Sequence, residues 1–194
     1  MAIGRYIGRI AASFPTGDIV DPQQLNEMVD TNLRGMARAP QLEERVEIPA
    51  VALDGRMLPH EWIRTTTGLV KVDALDHHGD HFWPGPQSPA WDLAGAITEL
   101  RMDRGHRAAM LDAFERACGG RMTLAWLPFY LVAYAAFRFG YATLAAQTLR
   151  GTADAARFNA AAQFYSQCAL NATACLTASP KSPLKQIARS SMNT

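Results

Sequence analysis

The sequence predicts an α+β fold that is mostly α. Apolar residues recur with helical spacing up to Leu33 and again from Pro89 onward, and between these regions they alternate as they do in short strands. The chain has 194 residues, of which 48% are hydrophobic and 19% charged, so it is long enough to bury a core and is not disordered. We therefore expect helices, then a small β-hairpin region, then a helical bundle.

Two helices are predicted at the start of the chain. The first ends at Pro15 and Gly17, and one of its faces is apolar: Ile3, Ile7, Ile10 and Phe14. Asp21 has the position of an N-cap for the second helix, with Pro22 at the first helical position. The apolar stripe of this second helix consists of Leu25, Met28, Val29 and Leu33. We expect residues 1–44 to form an N-terminal helical segment.

Two hairpins are predicted in the region that follows. The first covers 46–53, where apolar residues alternate ahead of the turn dipeptide Asp54-Gly55. The second covers 62–72, whose two strands flank the sequence TTTG. The segment WPGPQSP further on is too rich in proline and glycine for regular structure.

The remainder is predicted to be helical as far as residue 176. Helices are expected from about Trp91 to Leu100, around Met110–Ala117, from Pro128 to about Leu149, and from Thr152 to about Leu176. The second of these ends at Gly119-Gly120. The end of the chain carries Lys181, Lys185 and Arg189. It has no acidic residue and no periodic spacing of apolar residues, so residues 177–194 are expected to be a disordered basic tail.

Charge and composition exclude several classes of protein. The net charge of +1 gives no electrostatic case for a nucleic-acid partner. The longest apolar run, 123–137, is shorter than the ~18–20 residues of a membrane span and contains Pro128, so no membrane partner is expected. Cys118, Cys168 and Cys175 lack the spacing of metal ligands, and a cytoplasmic location is the simplest interpretation.

The segment 73–81 concentrates three Asp and three of the five His of the chain. One interpretation is a solvated polar loop. A second is a metal-dependent hydrolase, because the run DHHGDH resembles the HxHxDH pattern of metallo-β-lactamase-like enzymes, whose imidazoles and carboxylates suit Zn²⁺. The ligands of that alternative metal cluster would be Asp76, His77, His78, Asp80 and His81.

A third interpretation starts from spacing. His60 begins the second predicted hairpin and Asp73 ends it. A carboxylate at the end of a hairpin strand can hold Mg²⁺ between phosphates, while a second ligand comes from the loop before the hairpin. Asp92 lies in the first turn of the next predicted helix, where its carboxylate can accept backbone N–H groups and brace that loop. Compensation of the helix dipole is the alternative role for Asp92.

The runs L-V-K-V-Asp73 and P-A-W-Asp92-L-A-G resemble the C-terminal lobe of aminoglycoside phosphotransferase-like and choline-kinase-like proteins, within the protein-kinase-like superfamily. The resemblance covers roughly residues 45–176 and implies a kinase-like C-terminal lobe. It implies that Asp73 binds Mg²⁺, that His60 is a second metal ligand and that Asp54 is the catalytic base.

This resemblance implies transfer of the γ-phosphoryl group of ATP to a hydroxyl of a small molecule, with Mg²⁺ and ATP as cofactors. The N-terminal ATP lobe of such kinases is rich in β-strands, and it is missing here. Apolar residues in 1–44 have helical spacing, and no Gly-rich phosphate motif occurs. We therefore expect a fragment, or a lobe completed by a separate N-terminal lobe, that is inactive alone. A non-catalytic kinase-like scaffold or binding module is the alternative, and a hydrolase that uses the DHHGDH loop is the third.

Overall fold

The structure is a computed structural model that describes residues 1–43, 46–72 and 83–178. These ranges contain six α-helices: α1 (Ala2–Ser13), α2 (Pro22–Leu33), α3 (Ala90–Glu99), α4 (Arg104–Cys118), α5 (Leu127–Thr148) and α6 (Ala153–Ala178). Short antiparallel strands make up the β structure, so the predicted α+β class, mostly helical, is confirmed. Of the predicted tail, 177–194, the first two residues belong to α6, and the rest lies outside the described residues.

The first pair of strands differs from the sequence prediction. β2 (Pro49–Val51) pairs antiparallel with β1 (Pro15–Ile19), where the sequence predicts no strand, and not with a neighbour in 46–53. Both strands begin with proline, which has no N–H to donate and is tolerated at the first position of a strand. The Thr16 hydroxyl donates to the Ala50 carbonyl at 3.3 Å. The predicted local hairpin is therefore wrong, because the partner strand comes from a distant part of the chain.

The second predicted hairpin is confirmed. β3 (Trp62–Thr65) and β4 (Gly68–Lys71) pair antiparallel, with Trp62 opposite Lys71 at the open end. A 3₁₀ turn, Pro59–Glu61, leads into β3. The residue that follows β4 donates its N–H to the last carbonyl of this turn at 2.9 Å. The pairing therefore brings Lys71 beside the 3₁₀ turn.

The chain divides into two compact units, each made of two separated segments. The first unit consists of Met1–Asp21 and Glu47–Leu127, and the second of Pro22–Val46 and the chain from Pro128 onward. The helices α1 and α2 thus belong to different units, although both lie in the segment 1–44 that the sequence predicts as a whole. The residues of the candidate site described below all belong to the first unit.

Helix α1 belongs to the first unit because its apolar face packs on α4. The buried isoleucines of this face are Ile3, Ile7 and Ile10. Two glycines on the same side bring the helix backbones together. A Cβ on Gly8 would lie only 2.7 Å from the Phe114 carbonyl oxygen, and one on Gly4 would collide with the Met110 carbonyl oxygen. The interface therefore depends on the absence of side chains at these two positions.

In the second unit, α2 begins at Pro22, as the sequence predicts. Its predicted stripe buries Leu25, Val29 and Leu33, whereas Met28 is only partly buried. Asn26, on the same face, donates from Nδ2 to the Leu42 carbonyl and accepts from the Leu42 N–H at Oδ1, both at 2.8 Å. This pair of hydrogen bonds holds the chain after α2 against the helix.

Helices α5 and α6 pack together within the second unit. Their contact includes a cluster of Ala142, Ala162 and Tyr165. The Arg138 guanidinium lies over the Tyr165 ring, 5.2 Å from its centroid. Throughout the described ranges, no helix is long and apolar enough to cross a membrane.

Gly4→Ala should destabilise the protein, because the new Cβ would collide with the Met110 carbonyl oxygen, which cannot move without separating α1 from α4. Overpacking of this kind costs about 1–3 kcal/mol, against at most ~1 kcal/mol gained by replacing a helical glycine. Gly105→Ala is the matched control, since its Cβ would meet only Asp103 Oδ1, at 3.5 Å. Urea unfolding measures both variants, and equal stabilities would contradict this account of the interface.

Candidate functional site

The candidate site is built around the turn that contains Asp54 and Gly55, between β2 and the 3₁₀ turn. Asp92, in the first turn of α3, accepts both backbone N–H groups of this turn. The Asp54 N–H lies 3.1 Å from Oδ2 and the Gly55 N–H lies 2.9 Å from Oδ1. Asp92 is 1% exposed. Because each carboxylate oxygen accepts one N–H, α3 holds the turn that carries Asp54 in a single orientation.

The Asp54 side chain is buried and has partners at both oxygens. The Tyr6 hydroxyl, from α1, donates to Oδ2 at 2.6 Å, a length typical of a hydrogen bond to a charged oxygen. The Lys71 ammonium lies 3.1 Å from Oδ1 and 3.0 Å from Oδ2. The backbone N–H of Arg56 donates to Oδ1 at 3.3 Å. A hydroxyl, an ammonium and an amide therefore surround this carboxylate.

Lys71 joins Asp54 to a second buried carboxylate. Its side chain is 1% exposed, and Nζ lies 3.1 Å from Glu61 Oε2. This contact has the distance of an ion pair without the geometry of a hydrogen bond, so Oε2 has no hydrogen-bond donor among the described residues. The half-exposed Arg56 guanidinium lies 3.8 Å from Glu61 Oε1. Within the described part of the chain, Lys71 and Arg56 thus balance the charges of Asp54 and Glu61, and Asp92 is a third carboxyl group beside them.

Burial raises the pKa of Asp92 to about 7, and the nearby charge of Asp54 adds to the shift. The two amide hydrogen bonds and the Lys71 ammonium oppose this shift without cancelling it. Burial also raises the pKa of the Asp54 carboxyl, against the lowering effects of the Tyr6 hydroxyl and Lys71. For the Tyr6 phenol, burial and then the hydrogen bond to Asp54 raise the pKa, so the phenol stays protonated as a donor.

The structure brings two of the residues singled out in the sequence, Asp54 and Asp92, into direct contact. His60 is exposed on the 3₁₀ turn and makes no hydrogen bond or ion pair with any described residue. Asp73, Asp76, His77, His78, Asp80 and His81 lie outside the described residues. Within the described ranges, no group of three or more His, Cys, Asp or Glu side chains is arranged to hold a metal ion.

Three residues of the cluster were not among the sequence candidates: Tyr6, Glu61 and Lys71. The sequence marks Lys71 as unusual, since it is the only lysine before the tail. It also lies two positions from the apolar Leu69, so the two residues share one face of a strand. Tyr6 lies beside the buried stripe of α1, where an aromatic residue is ordinarily read as part of the core. Glu61 gives no signal, because an acid that follows Pro59 and His60 has the pattern of an exposed turn.

The arrangement can orient a hydroxyl group. Asp54 Oδ2 already accepts one hydroxyl hydrogen, that of Tyr6, and the turn that carries the carboxylate is fixed by Asp92. Burial favours the protonated form of the Asp54 carboxyl and so makes it a stronger proton acceptor than an exposed aspartate. This combination is suited to general-base chemistry once the phenol is displaced.

Comparisons with known proteins find no relative of this chain. No protein-family model, curated protein or solved structure matches it. The chemistry of the site therefore has to be inferred from its own contacts and charges.

Lys71→Met should destabilise the protein by about 3–5 kcal/mol, because the carboxylates of Asp54 and Glu61 would stay buried without their shared cation. Adding Asp54→Asn and Glu61→Gln should recover part of the loss, since neutral side chains need no counter-charge. Arg116→Met is the control, because it removes an exposed ion pair with Asp112 and should change little. Unfolding in urea measures all three, and equal losses for Lys71→Met and Arg116→Met would contradict the prediction.

Asp92→Asn should remove a pH dependence of stability. The pKa of Asp92 is about 7 in the folded state and 3.8 in an unperturbed carboxyl, so between these values the folded state binds more protons than the unfolded state. The stabilisation from this proton is fully present below about pH 4, decreases as the pH rises, and is lost above about pH 7. The free energy of unfolding of the unmodified protein, minus that of Asp92→Asn, should therefore fall over this window.

Urea unfolding at three pH values, of about 4.5, 6 and 7.5, measures this difference. Asp112→Asn removes an exposed carboxylate from α4 and serves as the control for loss of one charge. A difference that stays constant over this range, or that rises with pH, would show that Asp92 does not titrate as described.

Proposed function

We propose that this chain is the C-terminal lobe of a kinase-like phosphotransferase, which transfers the γ-phosphoryl group of ATP to a small-molecule hydroxyl when an ATP-binding lobe completes it. The observation that carries the proposal is the pair of hydrogen bonds from the amides of Asp54 and Gly55 to the Asp92 carboxylate. A phosphotransferase works mainly by positioning, so a base residue on a rigidly held turn is what the reaction requires.

Asp54 has the role of the base in this proposal. The Tyr6 hydroxyl occupies Oδ2 at 2.6 Å, which is the position a substrate hydroxyl needs in order to lose its proton to the carboxylate. Tyr6 therefore has to leave before a substrate can bind there. Lys71, held between Asp54 and Glu61, keeps the side chain of Asp54 in place throughout.

The implied Mg²⁺ would be held by Asp73 and His60, and it would neutralise charge on the phosphates. A carboxylate oxygen is the kind of ligand Mg²⁺ prefers, and His60, exposed and without a described partner, has a free imidazole. Imidazole is better suited to Zn²⁺, Cu²⁺ or Ni²⁺. Asp73 is accordingly the residue on which metal binding depends in this proposal.

A non-catalytic binding module is the second candidate, and one observation favours it. Asp54 is 0% exposed, and its oxygens are occupied by Tyr6, Lys71 and an amide. A buried carboxylate with these partners can serve to specify the packing of α1 against the hairpin without any reaction. The two candidates differ in whether a nucleotide and a metal ion bind.

Thermal unfolding with Mg²⁺ and ATP tests the proposal. A ligand at ten times its Kd stabilises the folded state by about 1.4 kcal/mol, which raises the Tm of a chain of this size by about 3–6 °C. Because this lobe would hold the metal ion but lacks the lobe that covers ATP, we expect a shift of this order only at Mg²⁺ and ATP concentrations that reach ten times a correspondingly weak Kd. Asp73→Asn should abolish it, whereas Asp30→Asn, an exposed position on α2, should leave it unchanged.

The other outcomes separate the alternatives. No shift with any combination of metal and nucleotide would contradict the phosphotransferase and favour the binding module. A shift with Zn²⁺ or Mn²⁺ alone, lost in His78→Ala, would favour the metal-dependent hydrolase. A shift with Mg²⁺ and ATP that survives in Asp73→Asn would leave nucleotide binding intact and overturn the metal assignment.

A further inference from the structure

A groove of about 550 Å³ lies between α1 and the β3–β4 hairpin. This volume is within the range of small-molecule sites, roughly 300–1,000 Å³. The residues that shape it on the two sides are Arg5, Tyr6, Arg9, Phe14, Trp62 and Val70. Among the described residues, neither Asp nor Glu lines it. The described lining of the groove therefore combines basic and apolar side chains.

Its positive charge comes from two arginines of α1. Arg5 and Arg9 are four positions apart, so their side chains leave the same face of the helix one turn apart. Both are exposed, and neither guanidinium has a hydrogen-bond or ion-pair partner in the described part of the chain. Lys71 also borders the groove, but its ammonium is engaged with Asp54 and Glu61. Two cationic groups thus face one cavity, and no acid of the described ranges lines it with them.

Its apolar surface comes from aromatic and aliphatic side chains. The rings of Tyr6 and Trp62 lie perpendicular to each other with centroids 5.4 Å apart, joining α1 to the hairpin. Phe14 is 49% exposed and Val70 is 47% exposed, and both line the groove. Exposed apolar groups beside unpaired arginines form a surface for a ligand that has both a charged end and an apolar body.

We propose that this groove binds a phosphate monoester with an aromatic or aliphatic body. The two guanidinium groups offer two planar pairs of donors, and the three terminal oxygens of a phosphate monoester can accept from both. A carboxylate has only two oxygens, which one guanidinium already satisfies. The ester body would lie against Phe14 and Val70. This site involves neither the Asp54 carboxylate nor a metal ion, so it does not depend on the proposed phosphotransferase function.

Phenyl phosphate is the probe for this proposal, titrated in metal-free buffer with EDTA. The four tryptophans give four indole N–H signals in a ¹H–¹⁵N NMR spectrum, and Trp62→Phe identifies the signal of Trp62. We expect this signal to shift and saturate while the other three stay in place. Inorganic phosphate and phenol, which are the two halves of this ligand, should both bind more weakly than phenyl phosphate.

The matched variants are two double substitutions that each remove two positive charges. Arg5→Gln with Arg9→Gln should weaken the binding of phenyl phosphate more than tenfold, since each of the two substitutions removes a charged hydrogen-bond donor to the phosphate. Arg34→Gln with Arg38→Gln, at exposed positions outside the groove, should bind phenyl phosphate as tightly as the unmodified protein. Circular dichroism confirms that all variants are folded.

Three results would overturn the proposal. The first is an unchanged Trp62 signal, and the second is an equal shift of all four indoles. The third is an equal loss of affinity in the two double variants, which would mean that net charge alone attracts the anion. Inorganic phosphate that binds as tightly as phenyl phosphate would remove the apolar part of the ligand from the assignment.

Discussion

The two hydrogen bonds that the Asp92 carboxylate accepts hold the turn on which the rest of the site is built. The carboxylate receives the N–H groups of Asp54 and Gly55 inside the first unit, where water cannot take its place. A buried N–H without an acceptor costs free energy comparable to a lost hydrogen bond, so this turn needs an acceptor where Asp92 stands. The first turn of α3 suits that carboxylate, because the N-terminal end of a helix dipole favours negative charge. The position of Asp54 thus follows from the position of α3.

This arrangement concentrates negative charge in a buried place. Asp54 and Glu61 share the ammonium of Lys71, and among the described residues the half-exposed Arg56 adds a second cation. Desolvation offsets most of the attraction within a buried ion pair, so its net contribution to stability is small, although the loss of one partner is costly. With a pKa of about 7, Asp92 can become neutral and relieve part of the repulsion at little cost. The cluster therefore specifies how α1, the turn and the hairpin fit together, under a charge balance sensitive to pH.

Helix α1 connects the site to the rest of the first unit, because it contacts α4 with one face and Asp54 with another. One face carries the isoleucines and glycines that pack on α4, and the other presents Tyr6 to Asp54. Arg5 and Arg9 lie beside Tyr6 and border the groove. A helix fastened to α4 cannot shift freely, so uncovering Asp54 requires either rotation of the Tyr6 side chain or separation of the helix pair. In the proposed phosphotransferase, α1 would therefore control access to the base.

The sequence predicted the existence of six helices and the β3–β4 hairpin, because each depends on the periodicity of neighbouring residues, although α4 begins at Arg104, six residues before the first periodic apolar residue. It also singled out Asp54 in a turn dipeptide and Asp92 at a helix start, both of which have local signatures. The tertiary structure was needed to show that β1 pairs with β2 and that Tyr6, 48 positions from Asp54, donates to its carboxylate. It also decided that Glu61 and Lys71 are buried together. Periodicity shows which face of an element is buried, but not which distant residue it is buried against.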